Sequence, residues 1–374
     1  MCEQNPLRLS RCIAGVALLV QASIGQVSSD KAEGKRPPGS MSGAKKPSAA
    51  IYRKLVRVET VQTSGEIAVF FFSPMECDGE GNLYIQTDPE QPAIHKLNSK
   101  GERVAVFQPT SNPDRKIDIS RSFAVVPSGE LYELVFAHEI SRYVYVYKSD
   151  GSFDSAIKLQ PGVPWSPSTI AVFPSGQLLV AGAEYERGAG VATLPFTGIF
   201  AADGRLLKEI KLEDDETLRD MAVQGDARVT SPQMPHGNRA VALSHAEMAS
   251  DGNAYLMRWT TPAIFYAISP GGEVVRRFTV NPPQDAAEPP MDVHLSENRI
   301  AILFVNQQTM HKVIKIVDLE GHEMATYAEP MSGGKPAGDV NSLALGCYTQ
   351  NPDRFTFLGT GDDQRVQFWI AEGR

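Results

Sequence analysis

The sequence predicts an all-β protein, a six-bladed β-propeller, because one short phrase recurs along the chain. Each phrase is an apolar run, a turn that contains glycine, and a second apolar run. The reference turn glycines are Gly81, Gly129, Gly176 and Gly252, and the first two steps are 129 − 81 = 48 and 176 − 129 = 47 residues. A period of this size, built from short strands and tight turns, is typical of a propeller with one sheet per blade.

Four regular repeats each contain four apolar runs, which we interpret as four strands. They cover residues 70–107, 123–159, 169–212 and 245–280. In the last three of them an Asp-Gly or Gly-Gly pair separates the third and fourth runs, and such pairs favour tight hairpins because they tolerate positive φ. Two less regular repeats follow at 292–327 and 342–370, and the final one supplies only three strands.

The segment Lys54–Val61 precedes the first repeat and has no partner within it. We expect it to be the fourth strand of the last blade, since this pairing closes the ring and removes two exposed strand edges. A seventh blade would have to come from residues 213–243, which contain too few β-branched or aromatic runs for four strands.

This arrangement resembles the six-bladed propellers of the NHL-repeat-like and SMP-30-like superfamily. The resemblance covers residues 51–374 and depends on the repeat architecture and the turn phrases. It implies the fold and leaves the activity open, because propellers carry many functions. In SMP-30-like lactonases, carboxylates and amides of the innermost strands bind a divalent metal, and this chain has no clear match to the full ligand set.

The N-terminal residues 1–25 have the pattern of a secretory signal peptide. Arg8 and Arg11 precede an uncharged apolar stretch at 12–20, and small residues follow it. We expect removal of this segment and a secreted or periplasmic protein; an uncleaved anchor is the alternative. Residues 26–50 are rich in Ser, Gly, Pro, Lys and Ala, which predicts a disordered leader before a propeller domain at 51–374.

Composition narrows the range of partners. The chain has 42% hydrophobic and 21% charged residues and a net charge of −8, as expected of a soluble protein with a large core. Mild acidity argues against a nucleic-acid partner, which normally requires a basic surface. The apolar stretch is about half of the roughly 20 residues that span a bilayer. We therefore expect a monomer with no membrane span once the signal is cleaved.

The long connections all emerge on one face of the predicted propeller. Turns between strands one and two, and three and four, share the opposite face. The connections at 108–121, 184–195, 213–243 and 281–290 join strand two to three or one blade to the next. We call their side the loop-bearing face, and we expect ligands there. Trp165 is a candidate for stacking on a sugar or peptide; a place in the core between blades is the alternative.

Carboxylates recur at one offset from the turn glycine on the predicted innermost strands. Glu76 and Glu247 each precede the glycine by five residues, Asp292 is the counterpart in the fifth blade, and His245 lies two residues before Glu247. Converging oxygens suit Ca²⁺ or another divalent metal, and like charges raise a carboxyl pKa. The alternative is that these residues only line a wet channel.

Two cysteines remain after the signal peptide. Cys77 and Cys347 lie late in the innermost strands of the first and last blades, which are neighbours in a closed ring. In an exported chain they form either a disulfide or two buried thiols.

These observations favour an exported, non-catalytic propeller that binds a peptide, glycan or partner protein on its loop-bearing face. The alternative is a metal-dependent hydrolase, lactonase or lyase with its site at the mouth of the axial channel. A third possibility is a structural module of an envelope complex. The sequence has no nucleophile elbow, phosphate-binding glycine loop or Cys-x-x-Cys pair.

Overall fold

The computed structural model describes most of the unit Ile51–Arg374. The predicted signal peptide and leader lie outside the described residues. The described residues are 52–63, 74–86, 93–108, 117–137, 141–185, 192–230, 237–286, 288–306, 308–332, 335–336, 344–360 and 366–374.

The secondary structure is almost entirely short strands, separated by turns of the predicted kind. The first half contains β1 Arg53–Gln62, β2 Met75–Cys77, β3 Leu83–Gln86, β4 Ile94–Leu97, β5 Arg103–Phe107, β6 Ile117–Val125, β7 Leu131–Ala137, β8 Ser141–Tyr147, β9 Phe153–Lys158, β10 Trp165–Val172, β11 Leu178–Tyr185, β12 Ala192–Phe200 and β13 Leu206–Glu209. The second half contains α1 Asp215–Val223, α2 Arg239–Ala242, β14 His245–Met248, β15 Ala254–Arg258, β16 Ala263–Ile268, β17 Val274–Val280, β18 Asp292–Ser296, β19 Arg299–Val305, β20 Lys312–Asp318, β21 Glu323–Ala328, β22 Met331–Ser332, β23 Lys335–Pro336, β24 Ala344–Thr349, β25 Arg354–Thr360 and β26 Val366–Gly373.

The strands form antiparallel meanders in chain order. Four sheets have four strands each: β2 to β5, β6 to β9, β10 to β13, and β14 to β17. A further sheet has eight strands in the order β18-β19-β20-β21-β1-β26-β25-β24, and β22 and β23 form a small two-stranded sheet. Within the described residues, the first strand of each meander contacts the first strand of the next, β2 with β6, β6 with β10, β10 with β14, β14 with β18, β18 with β24, and β24 with β2. This closed cycle of first strands is the arrangement of an all-β propeller.

Strand β1 is the junction of the eight-stranded sheet. It pairs antiparallel with β26 from Leu55↔Gly373 to Gln62↔Gln367, and parallel with the end of β21 at two residues. The amide of Lys54 also donates to the carbonyl of Arg374 over 2.8 Å. The N-terminal strand thus pairs with the last strand, as the sequence predicts.

The glycines of the turns between third and fourth strands fit against the meander before their own. Gly151 has φ +89°, and a Cβ atom there would clash with the backbone of Val106 in β5. Gly101 has φ +78°, and a Cβ atom there would clash with Gln62 of β1. Strand β1 therefore occupies, relative to the β2–β5 sheet, the place that β5 occupies relative to the next sheet.

Residues 213–243 were expected to be a long loop, and that expectation is wrong for part of the segment. Helices α1 and α2 occur there, and Leu218 and Ala222 are buried with Val241 against Ala183 at the end of β11. The spacing of four between Leu218 and Ala222 places both on one helix face, which is a signal that the sequence contains. Neither helix is long and apolar enough to cross a membrane.

Candidate functional site

Acidic and histidine side chains from three innermost strands meet at the propeller axis. Glu76 belongs to β2, Glu247 to β14 and His294 to β18, and their ligand atoms all lie within 4.8 Å of one another. Strands β2 and β14 are three steps apart in the cycle of first strands, so the two carboxyl groups approach each other across the axis. The sequence predicted that Glu76 and Glu247 converge.

Glu247 connects its own blade to the next one. Its Oε2 accepts a hydrogen bond of 2.5 Å from the amide of Leu295, and its Oε1 lies 3.1 Å from Nδ1 of His294. His294 in turn donates from Nε2 to the carbonyl of Leu345 in β24, over 2.6 Å. One chain of polar contacts thus joins β14, β18 and β24.

Asp292 repeats this arrangement one blade further on. Its Oδ2 accepts a hydrogen bond of 3.1 Å from the amide of Leu345, and its Oδ1 accepts one of 3.2 Å from Val293. Partly buried carboxylates that accept hydrogen bonds from backbone N–H groups satisfy donors that would otherwise be costly to remove from water. The inner-strand carboxylates therefore have a structural role in addition to any chemical one.

The charges of the cluster follow from these contacts. Removal from water raises the pKa of Glu76 well above its ordinary value, and the charge of Glu247 raises it further. Burial would also raise the pKa of Glu247, but hydrogen bonds from His245 and His294 outweigh it and lower that pKa. Burial opposes protonation of His294, yet Glu247 and Asp292 raise its pKa to about 9. At neutral pH Glu247 and His294 therefore form an ion pair, and the Glu76 carboxyl, whose pKa is raised, lies beside it.

The donor set fits a divalent metal ion. Two carboxylates and one imidazole are ligands that Zn²⁺ accepts, whereas Ca²⁺ prefers six or more oxygen atoms. The hydrogen bond from His294 Nε2 to Leu345 is the kind of outer contact that orients a ligating histidine and leaves Nδ1 for the metal. If a metal ion bound to Nδ1 of His294, it would replace the proton that this nitrogen carries in the ion pair with Glu247.

The ligand set differs from the predicted one in its histidine and in the absence of Asp292. His245 was predicted to join the cluster, and its Nε2 does lie 3.3 Å from Glu247 Oε1. However, His294 is the histidine that converges with Glu76 and Glu247, while Asp292 is 3.8 Å from His294 through Oδ1 and Nε2. His294 was missed because the turn after β18, at Glu297, contains no glycine from which to count. The alternation of Asp292 and His294 along one strand was the available signal.

The prediction that Trp165 stacks on a ligand is wrong. Its side chain is only 3% exposed, and it packs edge-to-face on Phe196 at 4.8 Å and stacks on Phe200 at 5.7 Å between ring centroids. The indole begins β10, and the alternation of that strand turns it into the core between two sheets. The faces of the Trp165 indole ring are therefore covered by other side chains of the protein.

Cys77 and Cys347 form a disulfide between β2 and β24. Their Cα atoms are 5.5 Å apart, and 270 residues of sequence separate them. Of the two possibilities that the sequence left open, the structure contains the bridge. It links the innermost strands at the point where the cycle of first strands closes.

Comparisons with known proteins find similarity in structure alone. No protein-family model matches the chain, and no curated relative matches it. A protein of unknown function from Bacteroides caccae aligns with TM-score 0.44 and 12% identity over 68% of this chain and 81% of its own. The WD40 domain of Neurospora crassa Pan2 aligns with TM-score 0.42 and 12% identity over 87% and 98%. A chain of a mitotic checkpoint complex aligns with TM-score 0.43 and 9% identity over 93% and 99%. Because each TM-score is below 0.5, the propeller assignment here depends on strand topology, and function depends on the site.

Proposed function

We propose that this chain is an exported, monomeric, non-catalytic β-propeller that binds a peptide, glycan or partner protein on its loop-bearing face. The proposal includes six blades and membership of the NHL-repeat-like and SMP-30-like superfamily. Six blades follow if the eight-stranded sheet is two blades, with β1 completing the one that contains β24, β25 and β26. The cycle of six first strands and the fit of Gly101 against β1 support this division.

The observation that most directly supports a binding role is the helical insertion at 213–243. It extends the connection from β13 to β14, and hence lies on the loop-bearing side. Arg258, which is fully buried at the end of β15, donates to Asp215 of α1 over 2.8 Å. The amide nitrogen of the Asn238 side chain donates to the carbonyl of Leu218 over 3.0 Å. A surface fixed in this way loses little conformational entropy when it binds a ligand.

The axial carboxylates support a non-catalytic role. Glu247 and Asp292 accept backbone hydrogen bonds from the next blade, and Glu247 is paired with His294. A general base must be free to take a proton from a substrate. Here the carboxylate of lowered pKa is committed to holding two blades together.

The Cys77–Cys347 disulfide supports export. Disulfides persist in secreted and periplasmic compartments and are rare in the cytosol of most organisms. The bridge thus agrees with the predicted signal peptide, and a secreted or periplasmic location is part of the proposal.

Screening the full, oxidised chain on glycan and peptide arrays tests the binding role. Val223 and Leu243 are 61% and 46% exposed at the ends of the two helices, and Val104 and Val275 are similarly exposed on outer strands. We expect Val223→Asp or Leu243→Asp to abolish binding of the array ligand, and Val104→Asp and Val275→Asp to leave it unchanged. Loss of ligand binding in Val104→Asp and Val275→Asp alone would contradict the placement of the binding site on the loop-bearing face.

A second candidate function is metal-dependent hydrolysis or lyase chemistry at the axis. It is favoured by the convergence of Glu76, Glu247 and His294. A divalent metal there would supply a Lewis acid and an activated water. The positive charge of a metal ion would oppose the effect of burial, which raises the pKa of Glu76.

Metal titration separates the two candidates. If Zn²⁺, Mn²⁺ and Ca²⁺ all leave the melting temperature of the oxidised protein unchanged, the metal-dependent candidate loses its support. A rise in melting temperature that Glu76→Gln removes would favour it. Glu130→Gln, on an exposed turn, is the matched control.

A further inference from the structure

Two arginine side chains share one aromatic ring at the loop-bearing end of the second meander. The guanidinium of Arg142 lies 3.8 Å from the centroid of Phe136, and that of Arg121 lies 5.1 Å from it. Arg142 is the cross-strand partner of Phe136 where β7 leads into β8. Arg121 is the extra residue of a β-bulge in β6, between Ser120 and Ser122. Bulges redirect a side chain, and here the bulge directs Arg121 to the ring that Arg142 also contacts.

This pair of cations lacks acidic partners in the described part of the chain. Neither Arg121 nor Arg142 forms an ion pair with a carboxylate of the described residues, although the chain as a whole is acidic. Arg142 is only 6% exposed, and its Nε has no hydrogen-bond partner among them. A buried guanidinium nitrogen without an acceptor is costly, and arginines are normally paired when they are buried.

The neighbours of the pair within the described residues act on the pKa of Arg142 in both directions. Burial lowers the pKa of Arg142, and the nearby charge of Arg121 lowers it further, while Tyr185 at the end of β11 raises it. Tyr185 also interacts electrostatically with Arg121. Ala183, two residues earlier on β11, packs against α1 of the insertion. The arginine pair thus lies beside the surface to which the binding role is assigned.

We propose that Arg121 and Arg142, with Phe136 and Tyr185, form a binding site for an oxyanion group of the ligand. The group is a carboxylate, sulfate or phosphate, whose oxygens match the planar fork of guanidinium donors. Arg142 supplies a buried, fixed donor, and Arg121 supplies a second from the exposed side. The Tyr185 hydroxyl, whose oxygen accepts a hydrogen bond from Arg142, can donate its own proton as a third. The inference rests on the proposed binding function and names the chemistry of the ligand.

Calorimetric titration of the full, oxidised chain with sodium sulfate, inorganic phosphate and glucuronate tests the site. Sulfate and phosphate represent tetrahedral anionic groups, such as those of sulfate and phosphate esters. Glucuronate represents the carboxylate of a sugar. We expect at least one probe to bind, and Arg121→Gln to weaken it about tenfold, as the loss of one charge-assisted hydrogen bond implies. Arg142→Gln should weaken it at least as much. Arg57→Gln is the matched control, because Arg57 also lies over an aromatic ring, Trp369, at 6.0 Å, on a strand outside the insertion.

The exposed position of Arg121 keeps the test decisive if Arg142→Gln does not fold. Binding of no probe by the wild type, or equal binding by wild type and Arg121→Gln, would overturn the oxyanion site. Array binding that depends on Val223 would then persist, so the failure of this inference is distinguishable from failure of the binding role. Loss of probe binding in Arg57→Gln but not in Arg121→Gln would also contradict the assignment.

Discussion

Nδ1 of His294 lies 3.1 Å from Oε1 of Glu247, so an imidazolium of β18 and a carboxylate of β14 form an ion pair between consecutive innermost strands. The carboxylate of Glu247 also accepts a hydrogen bond from the backbone amide of Leu295. A propeller has few covalent or sheet contacts between blades, and its innermost strands are where the blades come closest. Polar groups at this position therefore determine how the blades are joined as well as what the axis can bind.

Neutralising Glu247 should destabilise the protein. Glu247→Gln leaves the His294 cation without its counter-ion in a buried site, and we expect the free energy of unfolding to fall by about 2–4 kcal/mol at neutral pH. Urea unfolding followed by circular dichroism measures the change. The same substitution at the exposed Glu320 should alter stability by less than about 0.5 kcal/mol. Equal stability of Glu247→Gln and wild type would refute the structural role.

Removing the disulfide should loosen the closure of the ring. The paired variant Cys77→Ser/Cys347→Ser frees a loop of 270 residues, for which the chain-entropy model gives a loss of about 5.6 kcal/mol. Denaturant unfolding of the variant, and of wild type with and without reductant, measures this loss. A free-thiol assay on the unfolded wild-type protein checks that the bridge forms. Detection of two reactive thiols in the non-reduced chain that begins at residue 51, which lacks Cys2 and Cys12, would contradict the pairing.

Truncation before residue 64 should expose the edge of β26. Without β1, the seven residue pairs with β26 and the contact at Gly101 are lost. We expect a chain beginning at residue 64 to aggregate or to unfold without cooperativity, whereas one beginning at residue 51 should melt like the full protein. Scanning calorimetry with size-exclusion chromatography compares the two. Cooperative melting of the shorter chain would argue against closure by β1.

Glu133 predicts a pH-dependent loss of stability. Burial raises its pKa from 4.5 to about 7, although hydrogen bonds from Ser120 and Tyr147 oppose the rise. Between pH 4.5 and 7 the unfolded chain releases this proton while the folded chain keeps it, so this group destabilises the fold as pH rises. The effect is up to about 3 kcal/mol above pH 7. Glu133→Gln should therefore stabilise the protein relative to wild type at pH 8 and much less at pH 4. Glu130→Gln, three residues away and exposed, is the control.

Replacing Arg258 should release the helical insertion. Arg258→Met leaves Asp215 buried without its cation, and we expect α1 to detach at least transiently. Trypsin should then cut faster at Arg219 and Arg228 in the insertion, as mass spectrometry of the fragments will show. Arg276→Met is the matched control, since Arg276 bonds Tyr255 and Leu319 elsewhere on the same sheet. Unchanged cleavage in Arg258→Met would mean that the ion pair does not anchor the insertion.

The local sequence pattern was sufficient to predict the repeating strands and turns. A strand with alternating apolar residues and a turn with glycine at positive φ are set by neighbouring residues, so Gly81 and Gly129 mark their turns from sequence alone. The isolated run at Lys54–Val61 also identified its partner, because only one repeat had three strands. The helix α1 was missed even though Leu218 and Ala222 have helical spacing, since a segment between propeller strands was expected to be a loop.

What the sequence determined by itself was the order of strands, the turns, and the convergence of Glu76 with Glu247. What only the tertiary structure decided was the partner of each polar group. His294 rather than His245 completes the cluster, Trp165 is in the core, and Arg121 meets Arg142 on Phe136. Strand periodicity gives the face of a side chain, but contacts across the axis, between sheets and at a bulge depend on distances between residues far apart in sequence. Those distances exist only after the ring has formed.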